Sequence, residues 1–502
     1  MVLAVPTLRP YQASAIDRLR DAVEASNGRV ILTAPTGAGK TTIAGRLMEL
    51  AVGRGSHVLF IAHREELIAQ ASGRLADFGL LHGIIKAGHR PDPGQPIQVA
   101  SIQTLVRRAL PPADLVIVDE GHRAISPSYR AIFDAYPGAD IVALTATPVR
   151  TDGRGLGDVF GALVEVAKVS ELIAMGFLMR TRVLAPSTPD LVGIRTVAGD
   201  FDPKTLALRV ERPNLLGSIV DHWGQHARGA RAVLFAANVQ HSQNLVASLQ
   251  GAGARAAHID GDTDADTRAK TLAALRAGDL DVVSNVGILT EGYDLPDLGA
   301  VILARPTQSL ALHLQMIGRV MRPAQGKTQA LVLDHAGNVH RHGFAETDRT
   351  WTLSTTRAKR STQTAVAPVK TCPTCFLVVA ANARSCPACG STLQAAASAG
   401  PRQRDGRLEE LTAVEIAAKQ QRKDTWELKR YLEPWLRIRT EAHYRIKADG
   451  RPYSEGWAKF KFKDQFGRYP SKVLLGAWSE AQAPDLAARF GIDTSSRAAL
   501  EA

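Results

Sequence analysis

The sequence is poor in cysteine and in long apolar runs. Its 502 residues contain only 4 cysteines. No apolar run approaches the roughly 20 residues that a membrane-spanning helix needs. The opening MVLAVPTLRP has no basic leader followed by an apolar block, so a secretory signal is not expected. With 45% apolar and 22% charged residues, the composition predicts a soluble globular protein of the cytoplasm.

The excess of basic residues is local. The chain carries a net charge of +12, and residues 351–502 contain 25 Lys and Arg against 15 Asp and Glu. A basic segment favours a polyanionic partner, because each neutralised phosphate releases condensed counterions. The alternative is a basic surface that only aids solubility. A chain of this length also predicts three or more domains, since domains usually contain about 100–200 residues.

Two sets of short β-branched runs alternate with longer helical patterns. The first set is RVILTAP, HVLFIAH, IQVASI, DLVIVDE and DIVALTA, and the second is RAVLFAA, AAHID, DVVSNV, AVILAR and QALVLDH. Continuous apolar runs of this length are typical of buried parallel strands. The pattern predicts two α/β domains that join near residues 175–215, with ligands at the carboxyl ends of the strands.

The stretch APTGAGKT (34–41) follows a strand and precedes an apolar-periodic helix, which is the context of a phosphate-binding loop. Its backbone N–H groups and the helix N-terminus would surround phosphate oxygens. Lys40 would reach the β- and γ-phosphates, and the Thr41 hydroxyl would bind Mg²⁺. Ala34 departs from the usual first glycine, and a purely structural Gly-rich turn is the alternative. The predicted nucleotide-binding residues are Pro35, Thr36, Gly37, Ala38, Gly39, Lys40, Thr41 and Thr42.

Two adjacent acids end the strand DLVIVDE. Asp119 would hold Mg²⁺, and Glu120 would orient the attacking water. Two carboxylates at the end of a buried strand are costly unless a cation is near. A helix-capping role is possible for one acid, but a cap does not explain both.

At this point the chain resembles a superfamily 2 helicase or translocase of the DExH type, with motifs in the expected order over residues 6–335. LRPYQ (8–12) resembles the adenine-reading motif, in which Arg9 and Gln12 would contact the base. TATP (145–148) matches the coupling motif. NVGILTEGYDLP (285–296) matches motif V, with Gly292 and Asp294 in place, and QMIGRVMR (315–322) matches motif VI.

The resemblance also implies residues that contact a nucleic-acid strand. These are Arg64, Gln103, Thr104, Thr147, Asn238, Asn285 and Thr290.

Motif VI would supply positive charge to the phosphate oxygens from the second domain. Arg319 and Arg322 lie about one helical turn apart, and they would reach the γ-phosphate only when the domains close. Gln315 would link this face to the nucleotide. The alternative is a solvated helix face or a structural salt bridge. The implied cofactors are ATP and Mg²⁺.

All four cysteines lie in one short segment. Cys372, Cys375, Cys386 and Cys389 form two C-x₂-C pairs. Each pair can offer two thiolates to one ion, and tetrahedral thiolate coordination fits a structural Zn²⁺. Two disulfides or an iron–sulfur cluster are the alternatives.

A helicase core followed by such a cysteine module is similar to the bacterial RadD-like DNA-repair helicases. LDHAGNVH (333–340) resembles that family's sequence after motif VI. The resemblance implies an ATPase of double-strand-break repair that interacts with single-stranded DNA-binding protein. His122 follows Gly121, where that family usually has Cys before the His. This departure and the simpler cysteine region are consistent with a phage-encoded relative.

The basic tail is rich in aromatic residues. Ten of the 27 aromatic residues lie between 431 and 478, and GWAKFKFKDQFGRYPSK (456–472) interleaves them with lysines. Aromatic rings stack on unpaired bases and cations hold phosphates, so this segment could bind single-stranded DNA. A small helical domain with an aromatic core is the competing interpretation, which the spacing of Tyr453, Trp457 and Phe460 favours.

The predicted fold class is α/β, with two tandem RecA-like P-loop domains that contain parallel sheets, then a zinc ribbon and a small, mainly helical C-terminal domain. The predicted ranges are 1–180 and 181–350 for the two helicase domains, 351–370 for a linker, 371–394 for the ribbon and 405–502 for the basic aromatic domain.

The predicted function is an ATP-dependent DNA helicase or translocase of repair, recombination or replication, cytoplasmic and nucleoid-associated when on DNA. An RNA helicase is one alternative, because strand contacts to the backbone do not reveal the sugar. The other is a DNA-repair scaffold that ATP switches and that recruits partners through its ribbon and tail.

Overall fold

The computed structural model describes residues 7–150, 154–185, 191, 193–197, 199–202, 205–206, 210, 213–290, 292, 295–355, 368–393, 413–445, 453–466 and 469–495. The chain divides into two compact units, Met1–Ser398 and Ala399–Ala502. The first unit contains two α/β lobes and a cysteine-containing hairpin. The second unit is helical. Among the described residues, no helix is both long enough and apolar enough to cross a membrane.

The first lobe is built on a parallel sheet of seven strands in the order β3-β4-β2-β5-β6-β1-β7. Its strands are β1 (Arg29–Thr33), β2 (Val58–Ala62), β3 (Gly83–Ile85), β4 (Ile97–Ser101), β5 (Leu115–Asp119), β6 (Asp140–Thr145) and β7 (Ala162–Glu165). Its helices are α1 (Pro10–Ala25), α2 (Lys40–Val52), α3 (Glu65–Asp77), α4 (Ile102–Leu105), α5 (Pro127–Ala135) and α6 (Val169–Ala174), with a 3₁₀ turn over Gly121–Arg123.

The second lobe is built on a parallel sheet of six strands in the order β12-β13-β11-β14-β15-β8. Its strands, together with a small separate ribbon of β9 and β10, are β8 (Thr181–Leu184), β9 (Thr196–Val197), β10 (Asp200–Phe201), β11 (Ala232–Phe235), β12 (Ala256–Ile259), β13 (Val282–Asn285), β14 (Ala300–Leu303) and β15 (Ala330–Asp334). Its helices are α7 (Pro213–His226), α8 (Val239–Gly251), α9 (Ala265–Ala277), α10 (Leu310–Gly318) and α11 (Asn338–His342).

The ten apolar runs that predicted strands all form strands of these two sheets. Three further strands of these sheets, β3, β7 and β8, were not predicted. Each of these lies at an edge of its sheet. An edge strand has a neighbour on one side only and needs a less continuous apolar run, so its signal is weaker.

A segment that follows α11 returns from the second lobe to the first. We call residues 344–354 the return segment. The backbone N–H groups of Gly155 and Gly157 donate to the carbonyl oxygens of Ser354 (2.8 Å) and Leu353 (2.9 Å). Both glycines are needed for this approach, since a Cβ at either one would lie 2.4–2.5 Å from the backbone at Leu353. The two lobes are therefore joined by a second, ordered crossing of the chain.

The cysteine-containing hairpin, residues 369–393, packs on the edge of the second lobe. Its two strands are β16 (Val369–Thr371) and β17 (Val378–Ala380), which pair antiparallel. Leu377 forms a bridge with Leu184 of the edge strand β8, and the N–H of Ala185 donates to the carbonyl of Phe376 at 3.0 Å. The hairpin thus covers part of an otherwise open sheet edge.

The second unit consists of helices. They are α12 (Ala413–Tyr444), α13 (Glu455–Phe466), α14 (Lys472–Leu475) and α15 (Ala483–Phe490). Trp435, Phe462 and Leu474 are buried at its centre, and Trp457 and Phe466 pack around them. Most of the aromatic residues in the tail therefore form a core, as the competing interpretation expected, while Phe460 does not.

Candidate active site

The phosphate-binding loop lies between β1 and α2, at the carboxyl end of the first sheet. Gly37 and Gly39 have φ angles of 91° and 85°, which favour glycine over any other residue. These two conformations turn the loop back so that α2 begins at Lys40. The Lys40 Nζ lies 3.5 Å from the carbonyl oxygen of Ala34, so its side chain folds back over the loop. The N-terminus of α2 and this ammonium both lie at the loop, and each suits an anion.

Charges of both signs surround Lys40. Burial lowers the pKa of Lys40, and the carboxylates of Glu120 and Asp119 offset part of that shift. The guanidinium groups of Arg319 and Arg322 lower the pKa further. Residues from both lobes therefore lie within electrostatic range of one ammonium group.

The acidic pair is held at the end of β5 by an unusual backbone conformation. Glu120 has a φ of 53°, in the left-handed region, and its N–H donates to Asp119 Oδ1 at 3.0 Å. Gly121 follows because a Cβ there would lie 2.6 Å from the Cβ of Ala143 on β6. Glu120 is only 6% exposed, so the turn aims one carboxylate into the interior of the cleft.

His122 connects the acidic pair with the coupling motif. Its Nδ1 lies 3.3 Å from Glu120 Oε2 and 3.4 Å from Thr145 Oγ1. Thr145 in turn accepts from the N–H of Thr147 at 3.1 Å. The hydroxyl of Thr147 is buried and has no hydrogen-bond partner among the described residues. A change at Glu120 can thus reach the coupling motif through two short contacts.

The second lobe meets the acidic pair and the phosphate loop at motif VI. Gln315 Nε2 lies 3.5 Å from Glu120 Oε2 across the cleft. Gly318 packs against Thr36, and the side chain of Arg322 lies beside Gly37. Arg319 donates to the carbonyl oxygen of Thr290 at 2.5 Å. The lobes are therefore closed, with motif VI directly over the phosphate loop.

The adenine-reading motif packs on the other side of the same loop. Gln12 Nε2 and Tyr11 OH each donate to the carbonyl oxygen of Ala38 at 3.0 Å, and Gln12 Oε1 accepts from the N–H of Arg9 at 2.9 Å. The Arg9 guanidinium lies 4.0 Å from the ring centroid of Phe177. Gln12 thus supports the phosphate loop, and its predicted contact with adenine stays a prediction.

Besides Thr147, three residues predicted to contact a nucleic-acid strand lie on the first lobe near the cleft. Arg64 donates to the carbonyl oxygens of Gly287 (2.9 Å) and Ile288 (3.1 Å) on the second lobe. Gln103 is exposed and donates to the carbonyl of His63 at 2.9 Å, and Thr104 is half-buried. Their predicted contacts with a strand stay predictions.

The remaining predicted strand contacts have local structural partners. Asn238 caps α8 by accepting from the N–H of His241, and the buried Asn285 bonds both the carbonyl of Leu234 and the N–H of Leu289. The carbonyl of Thr290 accepts from Arg319. Of the motif V pair, Gly292 has a φ of 72° and its carbonyl accepts from Gln70, whereas Asp294 lies outside the described residues.

Sequence reasoning missed several residues that complete the site. Phe177 stacks with Arg9, and the ion pair between Glu66 and Arg268 joins α3 to α9 across the lobes. Phe177, Glu66 and Arg268 belong to none of the predicted motifs. Only their position in the folded chain shows that they border the cleft.

The four cysteines form one cluster. Their Sγ atoms all lie within 4.8 Å of one another, with Cys372 and Cys389 at 3.6 Å and Cys375 and Cys386 at 3.5 Å. All four thiols are free, which contradicts the two-disulfide alternative. Four sulfur atoms at this spacing fit tetrahedral coordination of one ion.

Taken together, the site is a cleft between two α/β lobes, with a phosphate loop on one wall and paired arginines on the other. The family described as "Type III restriction enzyme, res subunit" matches residues 6–150, and the family described as "Helicase conserved C-terminal domain" matches residues 211–324.

Similar proteins come from phage, yeast and bacteria. The "51.5 kDa protein" of Lactococcus phage (isolate 7-9) is 30% identical over 363 residues, which cover 72% of this chain and 77% of that protein. The "Putative ATP-dependent helicase IRC3" of Saccharomyces cerevisiae is 28% identical over 66% of this chain and 52% of its own length. The chain thus spans about half of the yeast protein.

Among solved structures, the fragment of a "putative HsdR subunit of a type I restriction enzyme" from Vibrio vulnificus YJ016 superposes with a TM-score of 0.55. The two chains are 21% identical, and the superposition covers 69% of this chain and 68% of the fragment. This likeness shows the fold. The chain belongs to the superfamily 2 helicases, related to phage helicases, and it is an ATP-hydrolysing helicase.

Proposed function

We propose that the chain is a DNA helicase or translocase that couples ATP hydrolysis to movement on, or remodelling of, DNA. The observation that carries this proposal is the closed cleft. Both acids and both motif VI arginines come within electrostatic range of Lys40, although the arginines lie on the other lobe. A site divided between two lobes can couple hydrolysis to their relative movement, which a site within one lobe cannot.

We assign the following roles to the residues of the cleft. Lys40 and the loop N–H groups bind the β- and γ-phosphates of ATP, and Glu120 orients the attacking water. Arg319 and Arg322 stabilise the negative charge of the transition state. Gln315 senses the state of Glu120 across the cleft, at a present distance of 3.5 Å.

The residues present fit a bound Mg²⁺. Asp119 ends β5 with a half-buried carboxylate, and its charge acts on Lys40 at the phosphate loop. Thr41 places a hydroxyl in the first turn of α2. Oxygen ligands of this kind suit Mg²⁺, which would neutralise phosphate charge when bound. Asp119 and Thr41 are the residues that would hold the ion.

We further propose that the cysteine cluster holds one structural Zn²⁺. Four thiolates leave no coordination position open for chemistry. Cys372 and Cys386 are buried, and the cluster lies in the hairpin that covers the edge of the second sheet. The metal then fixes that hairpin against the lobe.

The wider biological role follows from the resemblance to RadD-like helicases. We propose a place in DNA repair, recombination or replication, in the cytoplasm and on the nucleoid, with single-stranded DNA-binding protein as a partner. The phage relative makes a phage-encoded role equally consistent with the chain.

Replacing Lys40 tests the site. We expect Lys40→Ala to abolish ATP hydrolysis, because the change removes the only lysine of the phosphate-binding loop. The circular dichroism spectrum should stay unchanged. An enzyme that keeps full ATPase activity after this change would show that hydrolysis occurs elsewhere.

A panel of nucleic acids tests the substrate. ATPase activity would be measured with single-stranded DNA, duplex DNA, forked DNA and RNA, each with the Lys40→Ala chain as the control. A DNA motor predicts strong stimulation by at least one DNA form. Stimulation by RNA alone would favour the RNA helicase, and weak stimulation by all four would favour the scaffold.

A further inference from the structure

The second unit carries an exposed aromatic pair on the side of α13 that faces away from its core. Phe460 is 60% exposed and Tyr469 is 47% exposed, whereas the other aromatic side chains that the structure describes are buried or half-buried. Their ring centroids lie 5.8 Å apart with an interplanar angle of 73°. Exposing two large rings side by side costs solvation free energy, so this surface calls for a partner.

The exposure follows from the register of α13. Ala458 and Phe462 are both fully buried in the core of the unit, and Phe460 lies between them on the opposite side of the helix. The core of the unit is complete without Phe460, because Trp435 and Phe466 contact Phe462 from the inside. Neither ring of the exposed pair is therefore needed to fill the core.

A lysine accompanies the pair. Lys463 Nζ lies 4.7 Å from the ring centroid of Tyr469. Lys459 and Lys461 form ion pairs with Glu455 and Glu441, but no ion pair among the described residues involves Lys463. Its charge is thus available to a ligand that lies against the Tyr469 ring.

The charge of the segment indicates the kind of partner. Residues 456–472 contain five basic side chains and one acid, Asp464, and two of the five, Lys459 and Lys461, are paired with Glu455 and Glu441. This excess favours a polyanion over an apolar peptide. Exposed aromatic rings can stack on unpaired bases, because every base has a face that can stack, and a neighbouring cation can contact the phosphates. A base-paired duplex offers no such faces along its length.

We propose that Phe460, Tyr469 and Lys463 form a binding surface for single-stranded nucleic acid, separate from the ATP cleft. The two rings stack on bases, and Lys463 contacts a phosphate. This surface extends the proposed function, since it gives the chain a grip on a strand that does not depend on ATP or on closure of the lobes.

Photocrosslinking locates the contact directly. The full-length chain, without nucleotide, would be irradiated with a 20-residue oligothymidylate that carries 5-iododeoxyuridine, and the crosslinked peptides identified by mass spectrometry. We expect crosslinks at Phe460 or Tyr469. Crosslinks confined to the first unit would overturn the proposal.

Affinity measurements test the stacking. We expect Phe460→Ala with Tyr469→Ala to weaken binding of the oligothymidylate roughly 10- to 100-fold by fluorescence anisotropy, with little change for a duplex of the same length. Lys463→Gln should remove about one phosphate contact. The slope of log affinity against log salt concentration should then become less steep by about 0.7. Unchanged affinity, or equal losses for single strand and duplex, would contradict stacking on these rings.

The controls separate this surface from the motor. Leu81→Ala removes a 75% exposed apolar side chain of the first unit and should leave binding unchanged. Lys40→Ala should lose ATPase activity and keep the crosslinks, so failure of the proposed motor and failure of this surface give different results. An oligouridylate arm shows whether the surface prefers RNA or DNA.

Discussion

At the scale of single residues, the closed cleft depends on a glycine whose backbone lies against the phosphate loop. Gly318 ends α10, and a Cβ at this position would lie 2.4 Å from the Cβ of Thr36. Side chains do not approach so closely, so a methyl group there would push motif VI away from the loop. Gly318 has an ordinary helical conformation, so its backbone angles do not require glycine. Glycine is required at this position because of the contact with Thr36.

Gly318→Ala should therefore impair hydrolysis without unfolding either lobe. We expect a loss of at least about tenfold in kcat, because Gln315 and the two arginines that follow would move from Lys40 and Glu120, and shifts of about 1 Å in positioning cost rate of that order or more. Steady-state ATPase assays measure this. Gly224→Ala is the matched control, because Gly224 is also helical and a Cβ there meets nothing within 4 Å. Equal activity of the two variants would contradict the closed cleft.

At the scale of elements, the cysteine-containing hairpin acts as an extension of the second lobe. Leu377 pairs with Leu184, and the ring of Phe376 lies 5.8 Å from that of His222 on α7. His340 of α11 also contacts Thr371 of β16, with His340 Nε2 3.0 Å from Thr371 Oγ1. Three elements of the lobe thus contact a hairpin that has little apolar core of its own. A bound metal would therefore stabilise the second lobe as well as the hairpin.

Removal of the proposed Zn²⁺ should then destabilise the second lobe. We expect a chelator, or Cys375→Ser, to lower the thermal unfolding midpoint by roughly 4–8 °C, the shift that a loss of about 2 kcal/mol gives in a domain of this size. Differential scanning calorimetry and metal analysis follow the change together, and added zinc should restore the chelated chain. Zinc loss without a change in the midpoint would show that the hairpin stabilises only itself.

The comparison of sequence with structure also belongs to the scale of elements. Ten strands were predicted because buried parallel strands are continuous apolar runs, while β3 has three residues and β8 contains Thr181 and Arg182. The phosphate loop and the acidic pair were predictable because each is a local motif. Phe177 was not, since its role depends on packing against Arg9, 168 positions earlier in the chain. Pairs of this kind leave no periodic or local signal.

At the scale of the whole motor core, further contacts hold the lobes together away from the phosphate loop. Arg64 donates to Gly287 and Ile288, Gln70 donates to the carbonyl of Gly292, and Glu66 pairs with Arg268. These contacts lie on α3 and its N-terminal neighbour in the first lobe. They join that helix to motif V and α9, so closure involves a second row of contacts besides motif VI.

Exchanging the charges of Glu66 and Arg268 tests this second row. We expect Glu66→Arg or Arg268→Glu alone to reduce ATPase activity about two- to fivefold, because the pair is partly exposed and each change replaces attraction by repulsion. The doubly exchanged chain should recover most of the activity. Raising the salt concentration should reduce the differences, since screening weakens exposed charges.

Arg74→Glu is the matched control for that exchange. Arg74 lies on the same helix and pairs with Asp77 at 3.1 Å, three positions along the chain, so its contact does not cross the cleft. Its reversal should leave hydrolysis unchanged, although it alters the charge of α3 by the same amount. If the double exchange were no more active than the single variants, the pair would have no part in closure, and motif VI with the contacts of Arg64 and Gln70 would join the lobes without it.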